Sequence, residues 1–129
     1  MIFTVETNKS IEDVGRDLEA ATTKHQFGVM GVHNLREAMR SKGVSFEGDC
    51  LIYEVCNPHR AKAVLETHPE ISTALPCRIS VYKEGGKVKL STVRPTALIR
   101  AFNAPDLDEV AADVEEVLVA IMQEAATSK

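Results

Sequence analysis

The chain has 129 residues, of which 44% are hydrophobic and 26% are charged, a composition typical of a globular protein and unlike that of a disordered or collagen-like chain. The length favours a single domain over residues 1–129 with one core. The formal net charge of −4 argues against nucleic acid as a partner, and no apolar run is long enough to span a bilayer. Three cysteines, an odd number, fit a reducing compartment, so we expect a cytoplasmic protein.

The first third of the chain predicts two strands separated by a helix. Ile2–Thr7 alternates in polarity and is rich in β-branched residues, which is typical of a strand. Ser10 is suited to cap a helix whose apolar stripe runs towards His25, a residue favoured at helix C-termini. A second strand is predicted at residues 27–32, and a short helix at residues 35–40 follows it.

The middle of the chain contains the most continuously apolar strand pattern. It covers Cys50–Cys56 and indicates a central strand of the sheet. Asn57-Pro58 ends this strand, because proline cannot donate a hydrogen bond to a neighbouring strand. Residues 59–67 regain helical spacing, and an irregular stretch with two prolines follows.

A hairpin and a long helix are predicted in the last part of the chain. Residues 77–83 and Lys87–Val93 alternate in polarity, and Gly85-Gly86 between them can adopt the positive φ of a tight turn. Asp106 is suited to cap a helix over residues 106–126. Its apolar stripe consists of Leu107, Val110, Ala111, Val114, Val117, Leu118, Ile121, Met122 and Ala125. Its acidic face, which we interpret as solvated, carries Asp108, Asp113, Glu115, Glu116 and Glu124.

These elements predict an α+β fold in the order β-α-β-β-β-β-α, with short extra helices and a single antiparallel sheet. Strands and full-length helices do not alternate regularly, and the glycine-turned hairpin must be antiparallel. A doubly wound parallel sheet is therefore disfavoured.

Several motifs occur together in an order that resembles a known family. A strand ends in Asn-Pro within residues 51–58, Ala74-Leu75-Pro76 precedes a hairpin at residues 79–86, and Arg94-Pro95 follows. Over about residues 10–102, the chain resembles the bacterial and archaeal family called domain of unknown function 302. The resemblance implies a TBP-like fold, in which a curved antiparallel sheet is covered by helices on one face, and it implies no established activity.

The chain departs from the family pattern at two places. Val93 and Arg94 stand before Pro95, where the family usually has an aromatic residue and an acid or amide. Cys56 and Cys77 stand where many members have glycine and an aliphatic residue. A function of these two cysteines would therefore be restricted to a subgroup of the family.

The soft-ligand candidates are Cys56, His59, His68 and Cys77, with Cys50 as a possible fifth. Cys56 and His59, three residues apart at a strand end, could bind zinc or copper together with Cys77. The same pair could form a reactive thiol, in which His59 and the start of a helix activate Cys56. Alternatively, the cysteines are small apolar side chains, since Cys77 shares a strand face with Ile79 and free cysteines are commonly buried.

No phosphate loop, dinucleotide fingerprint, serine nucleophile elbow or metalloprotease helix is present in the sequence. We therefore predict a non-enzymatic module that binds a small ligand or a partner, either on the sheet or near the Cys56–Cys77 edge. The candidate ligand-binding residues are Cys56, Asn57 and Arg94. A homodimer is expected because the edge strands of open sheets often pair, and Arg94 or the acidic helix could contribute to its interface. The alternative is a thiol-redox or soft-metal protein that uses Cys56, His59 and Cys77.

Overall fold

Five strands form one open antiparallel sheet in the computed structural model, which describes residues 1–127. The strands are β1 (Ile2–Thr7), β2 (Gly28–Asn34), β3 (Cys50–Cys56), β4 (Cys77–Glu84) and β5 (Lys87–Val93). Their spatial order is β1-β5-β4-β3-β2, and every neighbouring pair is antiparallel. The predicted α+β class and antiparallel sheet are confirmed. The apolar strand β3 lies inside the sheet, as predicted, although β4 occupies its centre.

Helices and 3₁₀ turns occupy the connections between strands and the C-terminal part of the chain. The helices are α1 (Ile11–Lys24), α2 (Leu35–Arg40), α3 (Pro58–Thr67), α4 (Pro95–Phe102) and α5 (Asp108–Thr127). Two short elements, the Pro69 turn (Pro69–Ala74) and the Pro105 turn (Pro105–Leu107), are 3₁₀ helices. No helix within residues 1–127 is both long enough and apolar enough to cross a membrane.

The predicted hairpin joins β4 to β5. Gly85 and Gly86 have φ angles of 60° and 78°, which are the left-handed values that a two-residue turn between twisted strands requires. Glu84 pairs with Lys87 directly across this turn. The glycine pair therefore fixes the register of the two strands.

The main core lies between one face of the sheet and the helices α1 and α5. Side chains alternate along a strand, so every second residue of β3, β4 and β5 faces these helices. The strand residues that are fully buried here are Val55, Ile79, Val81 and Leu90. The residues that α5 buries in this core are Leu118, Ile121, Met122, Ala125 and Ala126, and all but Ala126 belong to the predicted stripe. On the opposite face, polar side chains hydrogen-bond across strands, as Thr4 does with Ser91 at 2.8 Å.

The last helix differs from its prediction in two respects. Asp106 lies inside the Pro105 turn rather than at the N-cap, and α5 begins at Asp108. The Asp106 carboxylate instead contacts His68 Nε2 at 2.9 Å, a long-range contact that no local capping pattern encodes. On the acidic face, Asp108, Asp113 and Glu116 are exposed as interpreted, whereas Glu115 is half-buried and accepts hydrogen bonds from Thr96. Glu124 pairs with Lys24 of α1 at the surface.

A second, smaller hydrophobic cluster lies beside the main core. It is built from α3, the Pro69 turn, α4 and the first turns of α5, and its buried residues are Val64, Ile71, Ile99, Ala104, Leu107 and Ala111. The helix α4 was not predicted, since the sequence indicates only an apolar run after Pro95. Pro95 occupies the start of this helix, where its missing N–H costs nothing.

Candidate functional site

A small cavity separates the second cluster from the main core. Its volume is about 70 Å³, and it is bounded by the ends of β3 and β4, by α3 and the Pro69 turn, and by α4 and α5. The buried residues in its wall are Val55, Val64, Ile71, Ile99, Leu107 and Ala111. Ala61, Leu75 and Leu98 also line it and are partly exposed to solvent. We call this space the β3–α3 cavity.

The polar residues in the described wall of the cavity, apart from two thiols, are Asn57 and Arg60. The Arg60 guanidinium carbon lies 5.8 Å from the ring centroid of Phe27, which is itself buried in the wall. Within residues 1–127, no carboxylate oxygen lies within 4.0 Å of the Arg60 guanidinium. Almost all of the exposed surface of the cavity wall is apolar, so Asn57 and Arg60 border the cavity mainly through carbon atoms. The Arg60 cation lies beside the Phe27 ring.

Asn57 positions the residues that follow it beside the cavity. Its Oδ1 accepts hydrogen bonds from the backbone N–H groups of His59 and Arg60 at 3.0 and 3.2 Å, and it therefore caps α3. Its Nδ2 donates to the carbonyl of Gln26 at 3.3 Å. The Asn57-Pro58 pair that ends β3 therefore also starts α3, which places Arg60 in the first turn of the helix.

Two of the three cysteines line the cavity. Cys77 pairs directly with Val55 across the strands, and Cys56 is the next residue along β3. Burial raises the pKa of the Cys56 thiol, and burial, followed by the nearby Cys56, raises the pKa of Cys77 to about 11. Because the thiolate is the nucleophile and the metal ligand, both side chains are protonated and weakly reactive at neutral pH. Cys50 lies at the other end of β3, with its Sγ 3.8 Å from Ser80 Oγ.

The two histidines of the predicted soft-ligand set do not line the cavity with Cys56 and Cys77. His59 is exposed on α3. His68 Nε2 contacts Asp106 at 2.9 Å and its Nδ1 contacts Glu70 at 3.4 Å. The hydrogen bond to Asp106 is the largest cause of a raised His68 pKa. Within residues 1–127, no three His, Cys, Asp or Glu side chains are grouped in a way that could hold a metal ion.

Arg94 lies apart from Cys56 and Asn57, the other predicted ligand-binding residues. Its guanidinium carbon is 5.1 Å from the ring centroid of Phe3, and its Nη1 is 3.3 Å from Glu115 Oε2. Arg94 does not line the cavity, whereas Cys56 and Asn57 do. The predicted ligand-binding set is therefore divided between two places in the fold.

Sequence reasoning did not identify Arg60 or Phe27 as site residues. Phe27 lies between α1 and β2, and only the long-range fold brings it to the first turn of α3. A local signal for Arg60 was nevertheless available. It is three residues after the Asn57 cap and four before the apolar Val64, so helical spacing places it above a buried face.

Comparison with known proteins identifies the fold independently. Residues 3–125 match the family described as "Domain of unknown function DUF302". This match extends past both ends of residues 10–102, to which the resemblance in sequence was assigned. A crystal structure of an uncharacterized conserved DUF302 protein from Bacillus stearothermophilus is similar, with 33% sequence identity and a TM-score of 0.91. The similarity covers 96% of this chain and 97% of that chain. No protein of curated function matches the sequence.

Proposed function

This chain belongs to the DUF302 family, and we propose that it is a non-enzymatic binding protein whose β3–α3 cavity holds the apolar part of a small ligand. The observation that carries the proposal is a concave cavity with apolar walls, bounded by helices and strand ends. Small-molecule sites are usually concave and mostly apolar, and this cavity fits that description.

The cavity is partly open to solvent, so a ligand that enters it would gain affinity by removing its own apolar surface from water. The cavity is about half the size of an engineered cavity of about 150 Å³ that binds benzene. It therefore suits a short aliphatic group. The rest of the ligand would contact the partly exposed side chains of the wall, such as Ala61, Leu75 and Leu98.

The thiols support a binding function better than a chemical one. The raised pKa values of Cys56 and Cys77 keep both side chains protonated, and a protonated thiol packs as a small apolar group. The alternative, a thiol-redox or zinc- or copper-binding protein using Cys56, His59 and Cys77, requires thiolates and a nearby imidazole. His59 is exposed and outside the cavity wall, so this alternative has less support.

A titration with 1-pentanol, followed by ¹H–¹⁵N NMR, tests the proposed binding function. The expected result is saturable shifts at amides of the cavity wall, including Val64 and Cys77. The variant Ala61→Leu adds a larger apolar side chain to the wall of α3 and should weaken binding at least about tenfold. The matched control is Ala63→Leu, which makes the same change at an exposed position of the same helix and should leave binding unchanged. Absence of saturable shifts, or equal binding by the two variants, would contradict the proposal.

A further inference from the structure

We infer that the ligand of the β3–α3 cavity is a short-chain carboxylate, whose anionic group binds the Arg60 guanidinium while its aliphatic part occupies the cavity. This inference rests on the proposed binding function and adds the chemical class of the ligand. It is carried by the position of Arg60. Among the residues that border the described cavity, Arg60 is the charged one, and its guanidinium lies against the ring of Phe27, which also borders the cavity.

Arg60 differs from most arginines of the chain in its pairing. The arginines that have a carboxylate oxygen within 4.0 Å are Arg16, Arg36, Arg40, Arg78 and Arg94. Within residues 1–127, Arg60 has no such partner, although it is half-buried beside an apolar wall. A partly desolvated cation gains more from an anionic partner than a solvated one does. The position therefore favours an anion supplied by a ligand.

The contact of Arg60 with Phe27 leaves its hydrogen-bond donors available. A cation–π interaction uses the positive charge of the guanidinium and none of its N–H donors. The Asn57 cap holds the Arg60 backbone in the first turn of α3, and the Arg60 guanidinium lies against the ring of Phe27, a residue of the cavity wall. A planar guanidinium held in this way matches a carboxylate, which it binds through two parallel hydrogen bonds.

The same features select against other ligand classes. An alkyl ammonium would bring a second positive charge to Arg60, and the described wall contains no carboxylate to compensate it. A phosphate with two negative charges would find one cation in this wall. A neutral alcohol would fill the cavity without neutralising the guanidinium. A monoanion with a short aliphatic chain satisfies both the apolar volume and the single charge.

The experiment compares three probes with the same five carbons: pentanoate, 1-pentanol and pentylammonium. Binding to the full-length protein is measured by NMR titration at neutral pH and low ionic strength. The expected order is pentanoate tighter than 1-pentanol by at least about tenfold, because hydrogen bonds to charged groups are the stronger ones. Pentylammonium should bind most weakly. Added salt should reduce the preference for pentanoate, since ionic interactions at a partly exposed site are screened.

Two variants assign the preference to one residue. Arg60→Gln should remove the preference for pentanoate over 1-pentanol, whatever its effect on the affinity for 1-pentanol itself. Lys62→Gln removes the same charge from an exposed position of α3 that does not line the cavity, and it should keep the preference. If 1-pentanol binds as tightly as pentanoate, or if Arg60→Gln keeps the preference, the carboxylate inference is wrong and the proposed binding function stands. If none of the three probes binds, the proposed function itself fails and this inference fails with it.

Discussion

Glu115, on the last helix, accepts hydrogen bonds from both the backbone N–H and the hydroxyl of Thr96, at 3.2 and 2.6 Å. Thr96 lies in the first turn of α4, whose own N-cap residue, Arg94, provides no side-chain hydrogen bond to the helix. The carboxylate therefore caps α4 from a neighbouring helix, and it also lies 3.3 Å from Arg94. One side chain of α5 thus fixes the start of the helix that forms one wall of the β3–α3 cavity.

Removing this capping carboxylate should destabilise the protein. Glu115→Ala leaves a helix N–H and a partly buried hydroxyl without their acceptor, so we expect a loss of about 1–2 kcal/mol in the free energy of unfolding. Urea denaturation measures the change. Glu116→Ala is the matched control, because Glu116 is exposed on the same helix, and its effect should lie within about 0.5 kcal/mol. Equal effects of the two substitutions would show that the cap does not stabilise α4.

The contribution of Glu115 should also depend on pH. Burial acts to raise the pKa of this carboxyl, but the hydrogen bonds from Thr96 and the charge of Arg94 outweigh burial and lower the pKa. A lowered folded-state pKa contributes stability above the unfolded value, near 4.3, and this contribution is lost as pH falls through the folded value. The difference in unfolding free energy between the native chain and Glu115→Gln should therefore be largest near neutral pH and shrink below about pH 4. A difference that does not change between pH 7 and pH 3 would contradict this assignment.

Gly15 lies in α1, and replacing it with alanine should destabilise the protein although alanine has the higher helix propensity. Replacing a glycine inside a helix with alanine usually stabilises a protein by about 1 kcal/mol. A Cβ at Gly15 would overlap the hydroxyl oxygen of Tyr53, which is buried on β3 beneath α1. Gly15→Ala should therefore lower the free energy of unfolding by about 1–3 kcal/mol, measured by urea denaturation.

A second variant separates this overlap from other effects of the substitution. Tyr53→Phe removes the hydroxyl, and the ring carbon that carried it lies 3.5 Å from the position of the new Cβ, an ordinary contact distance. Gly15→Ala should consequently be neutral or stabilising in the Tyr53→Phe background. Additive effects of the two substitutions would mean that the hydroxyl is not the cause.

Patterns within short segments predicted much of the fold. The Gly85-Gly86 pair predicted the hairpin turn, because glycine readily adopts the positive φ that the turn requires. The apolar residues of α5 predicted its buried face, because helical spacing repeats over 20 residues. Asn57-Pro58 correctly predicted the end of β3, because the lack of a proline N–H is also a local property. Each of these signals depends on residues that are neighbours along the chain.

The candidate site was predicted less completely because it depends on long-range packing. Cys56 and Asn57 were identified, and both lie in the cavity wall. Phe27 reaches Arg60 only when β2 pairs with β3, and α4 contributes to the wall although its sequence pattern indicates only an apolar run. A cavity between two hydrophobic clusters does not change the spacing of apolar residues along the sequence, so the sequence pattern does not reveal it.

His68 joins the end of α3 to the Pro105 turn, and its contacts predict a shifted titration. Hydrogen bonding to Asp106 is the largest cause of its raised pKa, and Glu70 adds to the effect. A raised folded-state pKa contributes stability below the unfolded value, near 6.5, and this contribution is lost as pH rises through the folded value. Asp106→Asn should lower the His68 pKa in an NMR titration, whereas Asp108→Asn, at an exposed position of α5, should leave it unchanged. An unchanged His68 pKa in Asp106→Asn would show that the contact with Asp106 does not raise it.

Cys77 should react with alkylating reagents only at high pH. Its pKa of about 11 implies that about 1% of the thiol is ionised at pH 9, and alkylation requires the thiolate. Mass spectrometric mapping after iodoacetamide treatment should therefore show a Cys77 rate that still rises between pH 9 and pH 10.5. Pentanoate should slow the reaction further, because the bound chain would occupy the cavity that Cys77 lines. A Cys77 rate that rises by less than about twofold over that interval would indicate an ordinary exposed thiol, because a thiol with a pKa near 8.5 is already mostly ionised at pH 9. That outcome would favour thiol chemistry over a role for Cys77 as part of an apolar wall.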